Sequence, residues 1–194
     1  VVLSLTENDL TDDWKQQFPY SFKLQYTVKV SDDNNLFTEL SVVNNDKEKS
    51  FEFTVLFHTY FRVDSKQIQV SGLNGLSYMD KLEKNEDAKI KKEEKETVDG
   101  ISCEIDRIYM DINNKDIVLV DKTKKFPKIT IKRNNFIDVV VWNPWIDKSK
   151  RMGDFGDDEY KNMVCIEPGS VAKPVTLKPG ESKVYDQTLI ASKL

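Results

Sequence analysis

The sequence contains one histidine and two cysteines among its 194 residues, which restricts the metal sites and cross-links available to it. A zinc site rich in histidine is excluded, and Cys103 and Cys165 lack the spacing of metal ligands. A disulfide framework uses more than two cysteines, so we predict reduced thiols in a reducing compartment. The sequence accordingly predicts no metal and no cofactor.

Long apolar stretches are also missing. No segment approaches the roughly 20 apolar residues of a membrane helix, and no apolar signal region is found at the start. We therefore expect no membrane partner and a cytoplasmic location. The final residues 192–194 (SKL) match the peroxisomal import tripeptide, which makes a peroxisome-like organelle the alternative location.

Motifs of several enzyme classes are absent as well. The sequence has no glycine-rich phosphate loop and no nucleophile elbow, and its single histidine has no neighbouring signature of a serine triad. The chain carries 29 Lys and Arg against 33 Asp and Glu, a net charge of −4 that argues against a nucleic-acid partner. This charge is still compatible with a phosphorylated small molecule, because a few local cations suffice to hold one.

What the sequence does have is alternation of apolar and polar residues, as in half-buried strands. The pattern, separated by turn residues, indicates strands at 22–30, 36–43, 51–63, 68–70, 117–120, 129–131, 137–142, 163–166, 175–177 and 184–190. A hydrophobic fraction of 39% is enough to fill a core, and the length fits a single domain over residues 1–194. We predict an all-β, mostly antiparallel sandwich and a monomer.

Two stretches break the alternation. Residues 81–100 are mostly Lys, Glu and Asp, which predicts a solvated short helix or a loose loop. Residues 147–161 are polar and contain Gly153 and Gly156, which predicts a long loop. Long loops in compact domains often carry function.

Four side chains are candidates for chemistry. His58 lies on the polar face of the strand predicted at 51–63, either as an exposed edge histidine or as an acid–base group facing a sugar. Glu167 is predicted to close a strand before a Pro-Gly turn, as a cleft carboxylate or an ordinary turn acid. Trp142 would stack on a pyranose or plug the sandwich, and Asp106 would bind a sugar hydroxyl or form a surface ion pair.

Six segments, in order along the chain, resemble the glucose-6-phosphate 1-epimerase (hexose-6-phosphate mutarotase) branch of the aldose 1-epimerase family. They are 57–63 (FHTYFRV), 70–80 (VSGLNGLSYMD), 104–109 (EIDRIY), 140–145 (VVWNPW), 154–160 (DFGDDEY) and 165–169 (CIEPG). Six ordered matches make the resemblance specific, which a single match would not.

The resemblance implies a large antiparallel β-sandwich of the galactose-mutarotase type, a supersandwich with a carbohydrate site on a concave sheet. The family's catalytic histidine and glutamate map onto His58 and Glu167, and its sugar-binding aspartate maps onto Asp106. We add Arg62 and Trp142 as predicted contacts to the substrate, a small-molecule sugar phosphate. The implied reaction needs no cofactor: the glutamate takes the C1 hydroxyl proton, the histidine protonates the ring oxygen, and the opened sugar closes as the other anomer.

Family members carry an additional N-terminal portion, whose arginines and glutamine hold the sugar and its phosphate, and this chain shows no counterpart. We therefore expect an N-terminally truncated sandwich with open strand edges, corresponding to the C-terminal two thirds of the family domain. The loop cations Lys148, Lys150 and Arg151 would either assist phosphate binding or simply lie in solvent.

Two alternatives to a hexose-6-phosphate mutarotase stay open. One is a non-catalytic carbohydrate-binding sandwich, and the other is a mutarotase for free aldoses. Retention of both His58 and Glu167 favours an enzyme over a binding module. The segment 154–160 favours the phosphate branch, by resemblance only.

Overall fold

The computed structural model describes residues 1–31, 33–112, 115–125 and 127–193, which form two β-sheets and a few short helices. The strands are β1 (Val2–Thr6), β2 (Phe22–Ser31), β3 (Asn35–Asn44), β4 (Phe51–Leu56), β5 (Tyr60–Arg62), β6 (Ile68–Ser71), β7 (Ser77–Asp80), β8 (Ile90–Lys92), β9 (Thr97–Asp99), β10 (Ile105–Tyr109), β11 (Ile117–Asp121), β12 (Lys128–Asn134), β13 (Asp138–Asn143), β14 (Met163–Leu177) and β15 (Ser182–Ser192). The helices are α1 (Asp12–Gln17), α2 (Trp145–Ser149) and 3-10 turns at Glu7–Asp9, Glu86–Ala88 and Glu159–Asn162. No helix in the described part of the chain is long and apolar enough to cross a membrane.

The strands pair into an eight-stranded and a seven-stranded sheet. The larger sheet has the order β1-β2-β3-β15-β12-β11-β6-β9. The smaller sheet has the order β4-β14-β13-β10-β7-β8, and β5 pairs with the part of β14 that β4 leaves open. Every pairing is antiparallel. The predicted all-β antiparallel sandwich is confirmed.

The core lies between the two sheets because each contributes its apolar face. Ile117 and Ile131 of the larger sheet pack in one cluster with Val139, Val141 and Ile166 of the smaller sheet, and all five are fully buried. Burial of each such side chain contributes about 1.5–3 kcal/mol. Since side chains alternate along a strand, the residues between them on β13 and β14 face away from the core.

The strand predicted at 51–63 is interrupted at residues 57–59, and Pro168 explains the interruption. Pro168 lies opposite this segment, and its carbonyl accepts a hydrogen bond from the Phe57 N–H at 3.0 Å. Proline has no N–H to return to the Phe57 carbonyl, which instead accepts from the Thr59 N–H at 2.8 Å. The ladder therefore opens for one tight turn, with His58 at its centre, and resumes at Tyr60.

Glu167 does not close a strand before a turn, and that prediction is wrong. The segments predicted separately at 163–166 and 175–177 are two parts of the single strand β14, with Glu167 in its interior. Its Pro-Gly sequence lies within the strand, where β13 continues to pair with it, and the register shifts only between Ser170 and Val175. Pro168 is tolerated because its nitrogen faces the gap between β4 and β5.

The two stretches that break the alternation, residues 81–100 and 147–161, both contain regular secondary structure that the sequence pattern does not indicate. Residues 81–100 include β8 and β9, which are edge strands of three residues each (IKK and TVD), too short and too polar to show an apolar alternation. Residues 147–161 begin inside α2 and end in the 3-10 turn Glu159–Asn162, so they are only partly a loop. The predicted import tripeptide includes Leu194, which lies outside the described residues.

Candidate active site

The predicted site residues share the outer face of the smaller sheet, because the pairing register sets them side by side. One row across the sheet consists of Asp106 on β10, Trp142 on β13, Cys165 on β14 and Tyr60 on β5. In the next row Val140 on β13 pairs with Glu167 on β14. Side chains that are far apart in sequence therefore meet on one surface of about four strands.

His58 and Glu167 are in direct contact. The Nδ1 atom of His58 lies 2.8 Å from Oε1 of Glu167, and the side chains are 50% and 3% exposed, respectively. His58 reaches solvent because it occupies the turn opposite Pro168, whereas Glu167 is enclosed by its neighbours within β14 and β13. One member of the pair is thus buried and the other is accessible to a ligand.

Burial shifts the pKa values of both groups in the direction that favours their neutral forms. Burial raises the pKa of Glu167 to about 7, a hydrogen bond with Cys165 opposes this shift, and the negative charge of Asp106 adds to it. Burial lowers the pKa of the His58 imidazole below its usual value. Near neutral pH the buried carboxyl group can therefore both accept and release a proton beside the imidazole, which suits reversible proton transfer.

Aromatic rings hold the imidazole in place. The ring of Tyr60 stacks on His58 with centroids 4.8 Å apart and an angle of 4° between the planes. Trp142 meets both rings edge-on, at 5.7 Å from His58 and 6.0 Å from Tyr60. Trp142 therefore does not plug the space between the sheets but lies on the outer face, 8% exposed, against Met163 and Cys165.

Two residues beside the pair carry no chemical role in the sequence prediction. The Sγ atom of Cys165 lies 3.7 Å from Nδ1 of His58, and Cys165 is fully buried. Tyr60 supplies the stacking ring described above. The sequence does hold a signal for Cys165, since positions 165 and 167 of one strand must share a face.

Asp106 is paired with a lysine and not with the adjacent arginine. Arg107 points to the other face, where it contacts Glu93 and Tyr109. The Nζ atom of Lys148, from α2, lies 3.7 Å from carboxylate oxygens of both Asp106 and Glu104. The same nitrogen lies 5.6 Å from the centroid of the Trp142 ring.

Arg62 is a cation on this face whose side chain is available to a ligand. It is exposed, and among the described residues no hydrogen bond or ion pair engages it. It lines a cleft of about 400 Å³ together with Tyr60, Phe155 and Glu159. A second cleft of about 340 Å³ is lined by His58, Thr59 and Gln187.

The polypeptide that carries Lys148 is fixed by a buried asparagine at the end of β13. The side-chain amide of Asn143 donates to the carbonyls of Tyr160 and Met163 at 2.8 and 2.9 Å, and its oxygen accepts from the Trp145 N–H at 2.9 Å. Trp145 has a φ of +54°, a left-handed conformation that bulky residues rarely adopt. The three hydrogen bonds hold this backbone and so place α2 beside Asp106.

The model of one protein family, aldose 1-epimerase, matches residues 1–189. The chain belongs to the aldose 1-epimerase family. Among curated relatives of this chain, a protein of Cenchrus ciliaris is 39% identical over 184 residues, covering 93% of this chain and 52% of the relative. A protein of Escherichia coli is 31% identical over 171 residues, covering 86% of this chain and 51% of the relative. Both are named "putative glucose-6-phosphate 1-epimerase".

Two solved structures of related proteins have the same fold as this chain. The Salmonella typhimurium protein titled "putative mutarotase (YeaD)" superposes with a TM-score of 0.81 at 25% identity, covering 100% of this chain and 60% of that one. An aldose epimerase homologue from C. elegans superposes with a TM-score of 0.68 at 13% identity, covering 100% of this chain and 66% of that one. The chain spans about half the length of the curated relatives it matches.

Proposed function

We propose that the protein interconverts the α and β anomers of glucose 6-phosphate, with His58 and Glu167 as its acid–base pair. The observation that carries the proposal is the 2.8 Å contact between Nδ1 of His58 and Oε1 of Glu167 on a sheet face that also holds Asp106 and Trp142. The family and the names of the curated relatives support the reaction type and the phosphorylated sugar.

In this mechanism Glu167, as carboxylate, accepts the proton of the C1 hydroxyl. His58 donates a proton to the ring oxygen, and its Nε2 is the ring atom left for this task because Nδ1 faces Glu167. The C1–O5 bond breaks to give the aldehyde, and rotation about C1–C2 presents its other face. Closure reverses both transfers, so each group recovers its starting protonation state and no cofactor is consumed.

The aromatic side chains and Asp106 would position the sugar. Trp142 offers an apolar ring for a pyranose face, and Asp106 offers carboxylate oxygens for hydroxyl groups. The ion pair with Lys148 helps to orient Asp106. Lys148 is a poor phosphate ligand, because its charge is already shared between Asp106 and Glu104.

Substitution of Glu167 tests the acid–base assignment. Glu167→Gln keeps the size of the side chain but removes the base, and we expect anomer exchange of glucose 6-phosphate to slow by at least about 100-fold. Saturation-transfer NMR measures this exchange directly. Glu48→Gln, in an exposed turn, is the matched control and should exchange at the wild-type rate. Near-normal exchange by the Glu167 variant would contradict the assignment.

Arg62 is the proposed contact to the 6-phosphate. A charge-assisted hydrogen bond is worth about 1.5–3 kcal/mol, so Arg62→Gln should raise KM for glucose 6-phosphate by about 10- to 100-fold. Rates with glucose should hardly change, because glucose lacks the phosphate. Lys47→Gln removes an exposed cation in the turn between β3 and β4 and serves as control. Equal effects on both sugars would remove Arg62 from the phosphate site.

The same assay separates the alternatives. Equal rates with glucose and glucose 6-phosphate would assign the protein to the free-aldose mutarotases. Saturable sugar binding without any exchange would assign it to the non-catalytic carbohydrate-binding sandwiches. We further propose that it acts as a single-domain monomer in the cytoplasm without a nucleic-acid partner, and light scattering of the purified chain tests the monomer.

A further inference from the structure

Three side chains with metal-binding atoms converge at the acid–base pair. Nδ1 of His58, Sγ of Cys165 and a carboxylate oxygen of Glu167 all lie within 4.8 Å of one another. This cluster, which we name the His-Cys-Glu cluster, draws on the β4–β5 turn and on two residues of β14. It is the group of potential ligands that the described part of the chain brings together.

One separation within the cluster matches that of a tetrahedral zinc site, and a second is shorter than the zinc geometry requires. With Zn–N of about 2.05 Å, Zn–O of about 2.1 Å and Zn–S of about 2.3 Å, tetrahedral angles give N···S of about 3.6 Å and N···O of about 3.4 Å. The observed Nδ1···Sγ distance is 3.7 Å, and the Nδ1···Oε1 distance is 2.8 Å. A cation therefore needs only a widening of about 0.6 Å on one side, which a half-exposed imidazole can provide.

The surroundings of the Glu167 carboxylate also favour a bound cation. Oε1 of Glu167 is buried, and no hydrogen bond of acceptable geometry reaches it from the described residues, although Nδ1 of His58 touches it. A buried carboxylate oxygen ordinarily has a hydrogen-bond donor or a cation. Nδ1 and Sγ lie close to the carboxylate of Glu167, and the stacked ring of Tyr60 holds the imidazole in its orientation.

We propose that the His-Cys-Glu cluster binds a thiophilic divalent cation of the zinc class, and that the bound cation inhibits anomer exchange. One nitrogen, one sulfur and one oxygen ligand leave a fourth position open toward solvent, and this ligand set selects Zn²⁺ over Mg²⁺ or Ca²⁺, which prefer oxygen. Binding releases the thiol proton of Cys165 to the buffer. The inhibition rests on the proposed function, because the cation would occupy both groups of the acid–base pair; the binding does not.

Cobalt titration tests the binding directly, since a Co²⁺–thiolate bond gives a charge-transfer absorption band in the near ultraviolet. We expect one Co²⁺ per chain, displaced by one Zn²⁺, in the wild type. The matched control is Cys103→Ser, which removes the other, exposed thiol and should leave the band unchanged. Cys165→Ser should abolish the band. A band that survives Cys165→Ser, or disappears in Cys103→Ser, would overturn the proposal.

His58→Gln provides a second measurement in case the buried serine impairs folding. His58 is half exposed, so its replacement should leave the thermal unfolding of the chain intact. Loss of even an outer-shell partner costs about 10–100-fold in metal affinity, so calorimetric Zn²⁺ affinity should fall by at least about 10-fold. An unchanged affinity would eliminate the site.

The inhibition has its own readout. Zn²⁺ at its binding concentration should slow exchange of glucose 6-phosphate in the wild type and in Cys103→Ser alike, and a chelator should restore the rate. Full activity with the cation bound would refute the inhibitory role. A chain that binds Zn²⁺ but shows no exchange without it would contradict the proposed function and leave the metal site supported.

Discussion

Asp138 is expected to be a major determinant of stability, because it fixes the irregular part of the strand that carries Glu167. One carboxylate oxygen, Oδ2, accepts the N–H groups of Val171 and Ala172, both at 2.8 Å, and Asp138 is 2% exposed. These residues lie where the β4–β14 register shifts, so their N–H groups have no partner in that ladder. The side chain of Asp138 takes the place of the missing strand partner.

The magnitude follows from the two hydrogen bonds. Each bond to a charged group is worth about 1.5–3 kcal/mol, so Asp138→Ala should lower the free energy of unfolding by about 4 kcal/mol. Asp138→Asn keeps an acceptor without the charge and should lose about half as much. With a urea slope of about 2 kcal/mol/M, the alanine variant should unfold at a midpoint about 2 M lower.

Urea unfolding followed by circular dichroism measures this loss. Asp157→Ala, which removes an exposed loop carboxylate, is the control and should stay within about 0.5 kcal/mol of the wild type. An Asp138→Ala variant as stable as that control would refute the assignment of Asp138 as the hydrogen-bond partner of Val171 and Ala172. We also expect slower anomer exchange in Asp138→Asn, because Glu167 lies only three residues from Ser170, where the register of β14 begins to shift.

Two further predictions concern the fold. Burial opposes ionisation of Asp121, but hydrogen bonds from Thr123 and from the Asp64 N–H, with the charge of Lys124, hold its pKa below the usual value. Because the folded-state pKa is lowered, the ionised carboxylate stabilises the fold at pH values above the unfolded-state pKa, and this stabilisation is lost as the pH falls through the folded-state pKa. Asp121→Asn should therefore be less stable than the wild type at pH 7, and the difference in free energy of unfolding should narrow in acid. A difference that does not change with pH would refute this prediction. Gly72 has a φ of +94° and its added Cβ would lie 2.4 Å from the Asp116 carbonyl, whereas Gly75 has a φ of +81° and open space. Gly72→Ala should therefore cost about 2–4 kcal/mol in thermal unfolding and Gly75→Ala about 1 kcal/mol, and equal losses would show that the contact is unimportant.

The face on which each residue of the active-site segments lies could be predicted from alternation alone. The prediction that His58 and Arg62 lie opposite the phenylalanines of residues 51–63 is confirmed, because period-two alternation survives the interruption at 57–59. Alternation could not predict the interruption at 57–59, because the interruption depends on Pro168, which lies opposite Phe57 in another strand. Alternation also could not show that Glu167 lies in the interior of β14, because the strand continues past Pro168 only through its pairing with β13.

The sequence by itself determined the all-β class, the family, and the candidates for the acid–base pair, because these depend on local alternation and on ordered motifs. Only the tertiary structure decided that Lys148 pairs with Asp106, that Arg62 has no ion pair among the described residues, and that Cys165 lies beside His58 and Glu167. The physical reason is that strand register brings together residues a hundred or more positions apart. The pKa values and ligand separations depend on those neighbours and on burial.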